Sequence, residues 1–465
     1  MRQGDGERIE VGEAAQPEVH EPTLPCRKAW PSGLVRDVRR GFSCLAEVAR
    51  AGSVGWGCGA RRVLLGGRCA GGAPAVRWPT MITRIEVDGF KSLRGFALDL
   101  EPLTAIVGAN GAGKSNLLDA LHLLSRLAQS SVTEALKGGR GAIRDQFSRL
   151  RGGAAGRIRI GVDMLLVADR DASRDQLATR YWYTAEIERV ALSSGIEDIT
   201  VEEHSDVIDD PAAPDTWMAR HPALARHADP AGKFEDRALK LRRIEHELSA
   251  IRVVQFEPSR LRLPSERAAG AALASDGSNL PTALAALAPA ARAQIRADLA
   301  ELIPGFRSFE VVPIDEELRL EVEFTDGARV PARVLSDGTL RLIALLTVLR
   351  GAPPGAMIAV EEPENGIYPG RLRALIDKLV DATTPKGDVL PPQVLLTSHS
   401  PAILAALHGR PESLVFADLV RRGDDLRSTR MRHVRTGDGP ERDPGTVSLR
   451  EIERILDAAR PEDEA

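Results

Sequence analysis

The stretch that most constrains the fold of this chain is a glycine-rich segment between two apolar patterns. Leu103–Val107 is a run of apolar and β-branched residues typical of a buried strand, and it leads into Gly108–Ser115, which fits the pattern GxxxxGK[ST]. From Asn116 onward the apolar residues recur at helical spacing. The sequence therefore predicts a strand, a glycine loop and a helix, in that order.

This order is the one that a bound polyphosphate requires. Several backbone N–H groups must point at the phosphates, and glycines let the chain wrap closely enough to present them. The N-terminus of the following helix adds the positive end of its dipole. Lys114 is expected to contact the β- and γ-phosphates, and the Ser115 hydroxyl to bind Mg²⁺. The predicted nucleotide contacts of the loop are Gly108, Ala109, Asn110, Gly111, Ala112, Gly113, Lys114, Ser115 and Asn116.

Length and composition limit the class of protein. A chain of 465 residues is long enough for two or three domains with a sizeable core. Its net charge of −4 argues against a surface covered with nucleic-acid-binding residues, although a local basic groove is compatible with it. No apolar run approaches the roughly 18 residues that span a bilayer. We therefore expect a soluble cytoplasmic protein without a membrane partner.

Residues 1–80 differ in composition from the rest of the chain. They contain all four cysteines, which are Cys26, Cys44, Cys58 and Cys69. Their spacings include no CxxC pair, so a zinc site is the weaker interpretation and unliganded cysteines the stronger one. The segment lacks periodicity and is interrupted by Gly and Pro, which predicts disorder. Because a clean strand pattern opens at Met81, we hypothesise that Met81 is the true start and that the preceding residues are a spurious extension.

Strand and helix patterns follow Met81. Alternation predicts strands at 82–87, 96–100, 158–167, 181–190, 199–207, 251–256, 309–312, 318–324 and 328–334. Helical spacing predicts helices over 117–127, 132–136, 234–248, 282–302 and 342–349. The basic, glycine-rich segment 137–159 suits contacts with DNA phosphates or a solvated loop, and both interpretations stay open.

Later segments contain side chains suited to phosphate chemistry. Ser336 is expected to cap a helix, and the N–H groups beside Gly338 would form a second anion-binding end. The apolar strand at 357–360 is followed by Glu361 and Glu362. Carboxylates at such a strand end are suited to hold Mg²⁺ and to polarise water.

A further apolar strand, at 394–397, ends shortly before His399. A lone histidine is more often structural. Because this one follows a core strand and comes after the other motifs, we treat it as a candidate contact of the γ-phosphate.

The order of these segments resembles that of the ATP-binding-cassette (ABC) type heads of the RecF and SMC-like group, and in particular that of bacterial AAA-family ATPases with an AAA-type core domain. The segments are Gly108–Ser115, Leu335–Thr339, Val360–Asn365 and Thr397–Ser400. Asp88–Leu93 and Asp276–Leu280 are also similar to segments of that group. The resemblance implies an α/β P-loop NTPase with a mixed central sheet, a meander of antiparallel strands and a small inserted α/β lobe. We place the two parts of the head at 81–165 and 251–465, and the insert at 166–250.

The resemblance also implies a mechanism with ATP and Mg²⁺ as cofactors. Two heads would close over two ATP molecules, so that Ser336 and Gly338 of one subunit reach the phosphate held by Lys114 of the other. Glu362 would be the general base or the water-orienting carboxylate, and His399 the γ-phosphate sensor. ATP would thereby act as the ligand that pairs two copies of the chain.

Three features depart from the pattern of the group. Glu361 stands where an Asp is usual, which puts its contact with Mg²⁺ and the turnover rate in doubt. Tyr368 stands where a His is common. No convincing glutamine loop is present, and Gln146 is the best candidate for the additional metal ligand.

Two classes of function follow from the resemblance. The first is an ATPase that dimerises on ATP and acts on DNA, in repair or in defence against foreign DNA. The second is a slow, nucleotide-gated scaffold that regulates a separate effector protein. A third interpretation is an OLD-type ATPase. We expect it to lack the nuclease domain, because no DxD pair follows the helix after His399.

Overall fold

The computed structural model describes residues 80–151, 153–167, 178–191, 197–207, 244–386, 391–421, 426–435 and 446–458. All of them belong to one compact unit, Ala73–Ala465. The predictions for the cysteines, for residues 1–79, for the loop at 208–233 and for most of the helix at 234–248 lie outside the described residues.

The described strands share three principal sheets and one short hairpin. In chain order they are β1 (Thr80–Asp88), β2 (Phe96–Asp99), β3 (Leu103–Val107), β4 (Arg149–Leu150), β5 (Gly153–Ala154), β6 (Arg157–Val167), β7 (Ala178–Ala191), β8 (Glu197–Val207), β9 (Arg252–Val254), β10 (Ser265–Glu266), β11 (Phe306–Ile314), β12 (Glu317–Phe324), β13 (Arg329–Pro331), β14 (Met357–Glu361), β15 (Gln393–Ser398), β16 (Leu414–Arg421), β17 (Arg427–Arg435) and β18 (Thr446–Ser448).

The described α-helices cover the sheets. They are α1 (Lys114–Leu127), α2 (Val132–Lys137), α3 (Ile143–Gln146), α4 (described over 244–249), α5 (Pro258–Leu261), α6 (Leu280–Ala286), α7 (Pro289–Leu302), α8 (Asp337–Gly351), α9 (Pro369–Thr383), α10 (Pro401–Ala406) and α11 (Leu449–Ala458). None of them is long and apolar enough to cross a membrane.

The central sheet has seven strands in the order β18-β17-β16-β3-β15-β14-β9. β15 pairs in parallel with both β3 and β14, and β14 pairs in parallel with β9. Only the pairing of β17 with β16 is antiparallel among the described pairs of this sheet. The carboxyl ends of β3, β15, β14 and β9 therefore meet along one edge, which is where ligands bind in parallel sheets.

A five-stranded antiparallel sheet, in the order β2-β1-β6-β7-β8, lies beside the central sheet. A smaller antiparallel sheet contains β10, β12, β11 and β13. The predicted α/β class with a mixed sheet and an antiparallel meander is confirmed. β7 and β8, which fall within the predicted insert at 166–250, continue the sheet that β1 and β6 begin. The domain boundaries themselves stay a prediction.

The core has one layer on each face of the central sheet. On one face, Val107 and Val360 pack with apolar residues of α8, such as Leu346. On the other face, Ile106 and Ala359 pack with residues of α1 and of the antiparallel sheet. Because successive residues of a strand point to opposite faces, a fully apolar strand such as β3 is suited to this position between two layers.

Three elements differ from the sequence-based expectation. The helix predicted over 282–302 is two helices, α6 and α7, because Pro289 begins a new helix after an extended Leu287. The strand predicted over 328–334 is only the three residues of β13, followed by a 3₁₀ turn at Ala332–Val334. No strand is predicted after the helix that follows His399, whereas β16, β17 and β18 extend the central sheet there.

A buried ion-pair cluster joins three helices on one side of the sheet. Asp298 of α7 is 1% exposed, and its Oδ2 accepts from Arg350 Nη2 of α8 at 2.6 Å. Lys378 Nζ of α9 lies 3.4 Å from the other oxygen, Oδ1. Lys378 also pairs with Glu301, so removal of the Asp298 carboxylate would chiefly deprive the largely buried Arg350 guanidinium of this counter-charge, which is strongly destabilising.

We therefore expect Asp298→Ala to lower the free energy of unfolding by about 3 kcal/mol, measured by urea denaturation. The control is Asp377→Ala, which removes a carboxylate that is 63% exposed and paired with Arg373 one helical turn away. That change should cost less than about 0.5 kcal/mol. Equal effects of the two substitutions would contradict the structural role given to Asp298.

Candidate nucleotide-binding site

The glycine loop connects β3 to α1 through backbone conformations that glycine adopts readily. Gly111 and Gly113 have φ angles of +77° and +91°, which disfavour other residues. At Gly113 there is also no room for a side chain, because an added Cβ would lie 1.8 Å from Oγ1 of Thr429. The loop is thus fixed both by its own backbone and by β17 behind it.

Lys114, the first residue of α1, is turned back over the loop. Its Nζ donates hydrogen bonds to the carbonyl oxygens of Gly108 and Ala109, at 2.7 and 2.9 Å. The side chain is buried, and burial lowers the pKa of Lys114, partly offset by the negative charges of nearby glutamates. Those glutamates are Glu362, Glu364 and Glu361. An ammonium group therefore lies within a loop suited to phosphate binding.

The segment Asp88–Leu93, which contributes to the resemblance stated above, supports the loop from behind. Ser92 Oγ lies 2.6 Å from Thr429 Oγ1, and Asn116 Nδ2 donates to Ser92 Oγ at 2.6 Å. The backbone N–H of Thr429 donates to the carbonyl oxygen of Ser92 at 2.9 Å. This segment thus joins α1 to β17 directly under the loop.

The carboxyl end of β14 brings two glutamates to the loop. Ser115 Oγ donates a short hydrogen bond to Oε1 of Glu361, the last residue of the strand. The next residue, Glu362, has a φ of +46°, an uncommon conformation for a residue with a side chain. Its Oε1 lies 3.1 Å from His399 Nδ1, and its Oε2 accepts from Asn365 Nδ2 at 2.8 Å. The predicted residues therefore form two contacts, Ser115 with Glu361 and Glu362 with His399, and the peptide bond between the two glutamates joins them.

Glu362 is held in its ionised form. Burial alone would raise the pKa of Glu362, but the hydrogen bonds from Asn365 and His399 and the positive charge of Lys114 together lower it below its usual range. At neutral pH this carboxylate is negatively charged and able to accept a hydrogen bond from water.

Ser336 and Gly338 lie at the start of α8. Ser336 Oγ caps the helix by accepting from the N–H of Thr339 at 3.2 Å. Gly338 packs against the segment after Glu362, because a Cβ there would lie 2.0 Å from the carbonyl oxygen of Gly366. Among the described residues, no hydrogen bond joins Ser336 or Gly338 to the glycine loop of the same chain.

Arg262 fixes the backbone just before and at the start of α8. Its Nη2 donates to the carbonyl oxygen of Leu335 at 2.9 Å and to Oδ1 of Asp337 at 2.6 Å. Its Nη1 donates to the carbonyl oxygen of Pro258 at 3.1 Å. The sequence analysis missed this residue, since nothing in its local pattern marks it.

Gln146 does not join this set of contacts, contrary to its selection as a metal ligand. Its side chain is fully buried in α3, and its Nε2 donates a short hydrogen bond to the carbonyl oxygen of Leu136. The side chain also packs on Gly139, where an added Cβ would lie 2.7 Å from the amide. Gln146 therefore fixes the 136–146 loop and has no solvent-facing oxygen to offer a metal.

A different glutamine lies beside the glutamates. Gln255 directly follows β9, the strand that pairs with β14. Arg140 Nη2 donates both to Gln255 Oε1, at 3.2 Å, and to Glu361 Oε2, at 2.9 Å. Gln255 also lines a cavity of about 400 Å³ together with both glutamates and Asn365. The sequence analysis placed Gln255 inside a strand predicted over 251–256, and no local signal marked it as the end of the strand.

The segment Asp276–Leu280, also noted above, and the preceding Ser275 hold the residues after β9 in place. The backbone N–H of Gln255 donates to the carbonyl oxygen of Ser275 at 2.8 Å, and that of Glu257 donates to the carbonyl oxygen of Asp276 at 3.1 Å. Asn279 closes the same turn by donating from Nδ2 to two carbonyl oxygens. This segment therefore positions the residues after β9.

The oxygen donors at this edge of the sheet fit Mg²⁺. The Ser115 hydroxyl, the Glu361 carboxylate and the Gln255 amide oxygen are hard ligands of the kind that Mg²⁺ takes together with phosphate oxygens and water. Within the described ranges, no group of three or more His, Cys, Asp or Glu residues is arranged to hold a metal. The site thus fits an ion bound jointly with a nucleotide rather than one bound by a complete protein cage.

Comparison with known proteins identifies the family. The family model described as "AAA domain, putative AbiEii toxin, Type IV TA system" matches residues 103–405, which is more than half of the chain. The chain belongs to this AAA domain family. The match runs from β3 through the glycine loop to α10 and so includes every predicted site residue. The resemblance to AAA-type, RecF and SMC-like ATPase heads is confirmed.

Two curated relatives of this AAA domain protein match over short stretches. The Structural maintenance of chromosomes protein 1 of Schizosaccharomyces pombe is 41% identical over 71 residues, covering 14% of this chain and 6% of that protein. The OLD nuclease of Thermus scotoductus is 50% identical over 44 residues, covering 10% of this chain and 8% of that protein. The matched stretch therefore spans less than a tenth of either relative.

Solved structures of Smc heads are also similar to this AAA domain protein. An Smc head bound to the C-terminal winged-helix domain of ScpA matches with a TM-score of 0.46 and 14% identity, over 76% of this chain and 98% of that chain. An Smc head with coiled coil and joint from Pyrococcus yayanosii matches with a TM-score of 0.45 and 11% identity, over 82% of this chain and 99% of that chain.

Proposed function

We propose that this protein binds and hydrolyses ATP in a Mg²⁺-dependent reaction. The observation that supports this proposal best is the pair of contacts from Ser115 to Glu361 and from the next residue, Glu362, to His399, beside the buried ammonium group of Lys114. Hydrolysis of a phosphoanhydride needs a phosphate cradle, a metal ligand set and an oriented water, and these residues have the chemistry for each.

The binding roles follow from the donors. The N–H groups of the glycine loop and Lys114 would hold the phosphates, and α1 would direct its positive dipole end at them. Ser115 and Glu361 would hold Mg²⁺, which neutralises phosphate charge when bound. We propose Gln255 as the third protein ligand, in place of Gln146, because its amide oxygen shares Arg140 with Glu361.

The catalytic roles fall on Glu362 and His399. The ionised Glu362 would accept a hydrogen bond from the attacking water and draw its proton toward Oε1 or Oε2. Asn365 fixes one of these oxygens. His399 contacts the other oxygen. Its ring would also contact the γ-phosphate and so couple the presence of that phosphate to the Glu362 carboxylate.

We further propose that ATP pairs two copies of the chain. Ser336 and Gly338 have no hydrogen bonds to the loop of their own chain within the described residues, and Ser336 is exposed at the helix N-terminus. Exposed apolar side chains lie beside this end of α8: Val334 is 63% exposed, and Tyr368, close in sequence to Gly366, is 70% exposed. A second copy could cover them and supply its own triphosphate to Ser336.

For the biological process, our first proposal is an action on DNA in repair or in defence against foreign DNA. The short similarity to an SMC protein and to an OLD nuclease supports it. The second proposal is a slow, ATP-gated scaffold that regulates a separate effector protein. It is supported by Glu361, whose longer side chain replaces the usual Asp and affects the metal position that governs turnover.

Phosphate release separates these two proposals. For the ATPase, we expect Glu362→Gln to lower turnover by about a hundredfold or more, because the attacking water loses its base. Lys114→Ala should abolish ATP binding in an equilibrium assay and serves as the control for contaminating activity. DNA should stimulate the wild-type protein. Equal, slow release by the wild type and Glu362→Gln, with no effect of DNA, would favour the scaffold.

Pairing on ATP is tested by light scattering. Glu362→Gln with ATP should form dimers at tens of micromolar, since it binds ATP but does not hydrolyse it. Adding Ser336→Arg should leave ATP binding by the monomer intact and prevent dimers, because the larger, positively charged side chain blocks the start of α8. If Glu362→Gln with bound ATP stays monomeric, the pairing proposal is wrong.

Substitution of the two glutamines tests the metal assignment. Gln255→Ala should raise the Mg²⁺ concentration for half-maximal ATP binding about tenfold, as expected for the loss of one ligand. Gln146→Ala should lower the unfolding temperature and leave that concentration within about twofold of the wild type. The reverse pattern would restore Gln146 as the ligand.

A further inference from the structure

Arg140 lies among the oxygen atoms assigned to the metal. Its Nη2 is 2.9 Å from Glu361 Oε2 and 3.2 Å from Gln255 Oε1. Its Nε is 3.3 Å from Oδ1 of Asp119, a residue of α1. One guanidinium group thus contacts two of the three proposed protein ligands and a carboxylate beside them.

The two oxygens of Glu361 are both used. Oε1 accepts from Ser115 and Oε2 accepts from Arg140. The side chain of Glu361 is only 14% exposed, so it has little water to stabilise its charge. Arg140 therefore supplies the positive charge that a buried carboxylate requires.

Asp119 anchors the other side of this guanidinium group. Its Oδ2 lies 2.5 Å from Lys91 Nζ, and the two side chains are 13% and 14% exposed. Asp119 is therefore neutralised by Lys91 whether or not Arg140 is present. Departure of Arg140 would remove the cation that is hydrogen-bonded to Glu361 and leave Lys114 as a nearby positive charge shared with Glu362 and Glu364.

The side chain of Arg140 can make such a departure. The residue lies in the loop between α2 and α3, whose backbone Gln146 holds in place. The side chain itself is 49% exposed. The flexible stem of an arginine therefore lets the guanidinium group move toward solvent while the loop and both helices stay in place.

We propose that Arg140 and Mg²⁺ exchange at Glu361 and Gln255. Without metal, Arg140 holds the two oxygens and keeps the site close to neutral. When Mg²⁺ binds, the same oxygens turn to the metal, and Arg140 leaves because two cations cannot share one carboxylate at this distance without repulsion. The inference rests on the proposed function, since it concerns the metal of that site. Its consequence is that Arg140 lowers the affinity for Mg²⁺ and makes metal loading depend on the free Mg²⁺ concentration.

Mn²⁺ binding to the full chain with saturating ADP tests the exchange, with free Mn²⁺ measured by electron paramagnetic resonance. We expect Arg140→Gln to bind Mn²⁺ at least threefold more tightly than the wild type, because the competing cation is gone. Arg140→Lys, which keeps a positive charge, should stay within twofold. The matched control is Arg144→Gln, which removes an exposed arginine of the same region, and it should also stay within twofold.

ADP binding without metal, measured in EDTA, provides a second readout. Arg140→Gln should bind ADP more weakly than the wild type under these conditions, because the positive charge of Arg140 no longer offsets the repulsion between Glu361 and the phosphates. Unchanged or weaker Mn²⁺ binding by Arg140→Gln, with an unfolding temperature equal to that of the wild type, overturns the exchange. If the wild type itself fails to bind ADP, the proposed function is refuted instead, so the two failures are distinguishable.

Discussion

The parallel pairing of β15 between β3 and β14 is the constraint on which the site depends. It places the carboxyl end of β3, which enters the glycine loop, and the carboxyl end of β14, which presents Glu361, on either side of β15. The hydrogen bond from Ser115 to Glu361 spans this gap, and His399 follows the strand in the middle. Parallel strands have their carboxyl ends at one edge, so side chains from distant parts of the chain meet there.

Charge balance is the second determinant of the site. Three glutamates, Glu361, Glu362 and Glu364, lie close to one buried ammonium group. Each is compensated differently: by Arg140, by His399 with Asn365, and by a hydrogen bond from the Ser398 hydroxyl. A ligand with several negative charges can bind at such a site only together with a metal ion or with the cationic side chains already there. Nucleotide binding is therefore linked to cation binding.

The strand, loop and helix around Lys114 could be predicted from the sequence because all of their determinants are local. An apolar run, glycines at fixed spacing and a helical repeat are contiguous. Ser336 and Glu362 could be placed for the same reason, since a capping residue and a strand end have local signals.

The sequence could not predict the residues whose position depends on pairing between distant strands. Gln255 lies beside Glu361 because β9 pairs with β14, a strand that is far away along the chain. Arg140 lies in a basic, glycine-rich loop, and its local pattern does not distinguish it from its neighbours. Thr429 lies on an arginine-rich strand without clear alternation, yet it packs under Gly113. Gln146 lies 32 residues after Lys114, and a separation along the chain does not determine position in space.

The contact of Gly338 with Gly366 brings two backbones together with no side chain between them. Gly366 follows Asn365, which orients Glu362. Any displacement at the start of α8 is therefore passed directly to the residue that orients the Glu362 carboxylate of the same chain. If two chains pair on ATP and hydrolyse it as proposed, occupancy of one pocket would adjust the geometry of the other, and the two hydrolysis events would be coupled in time.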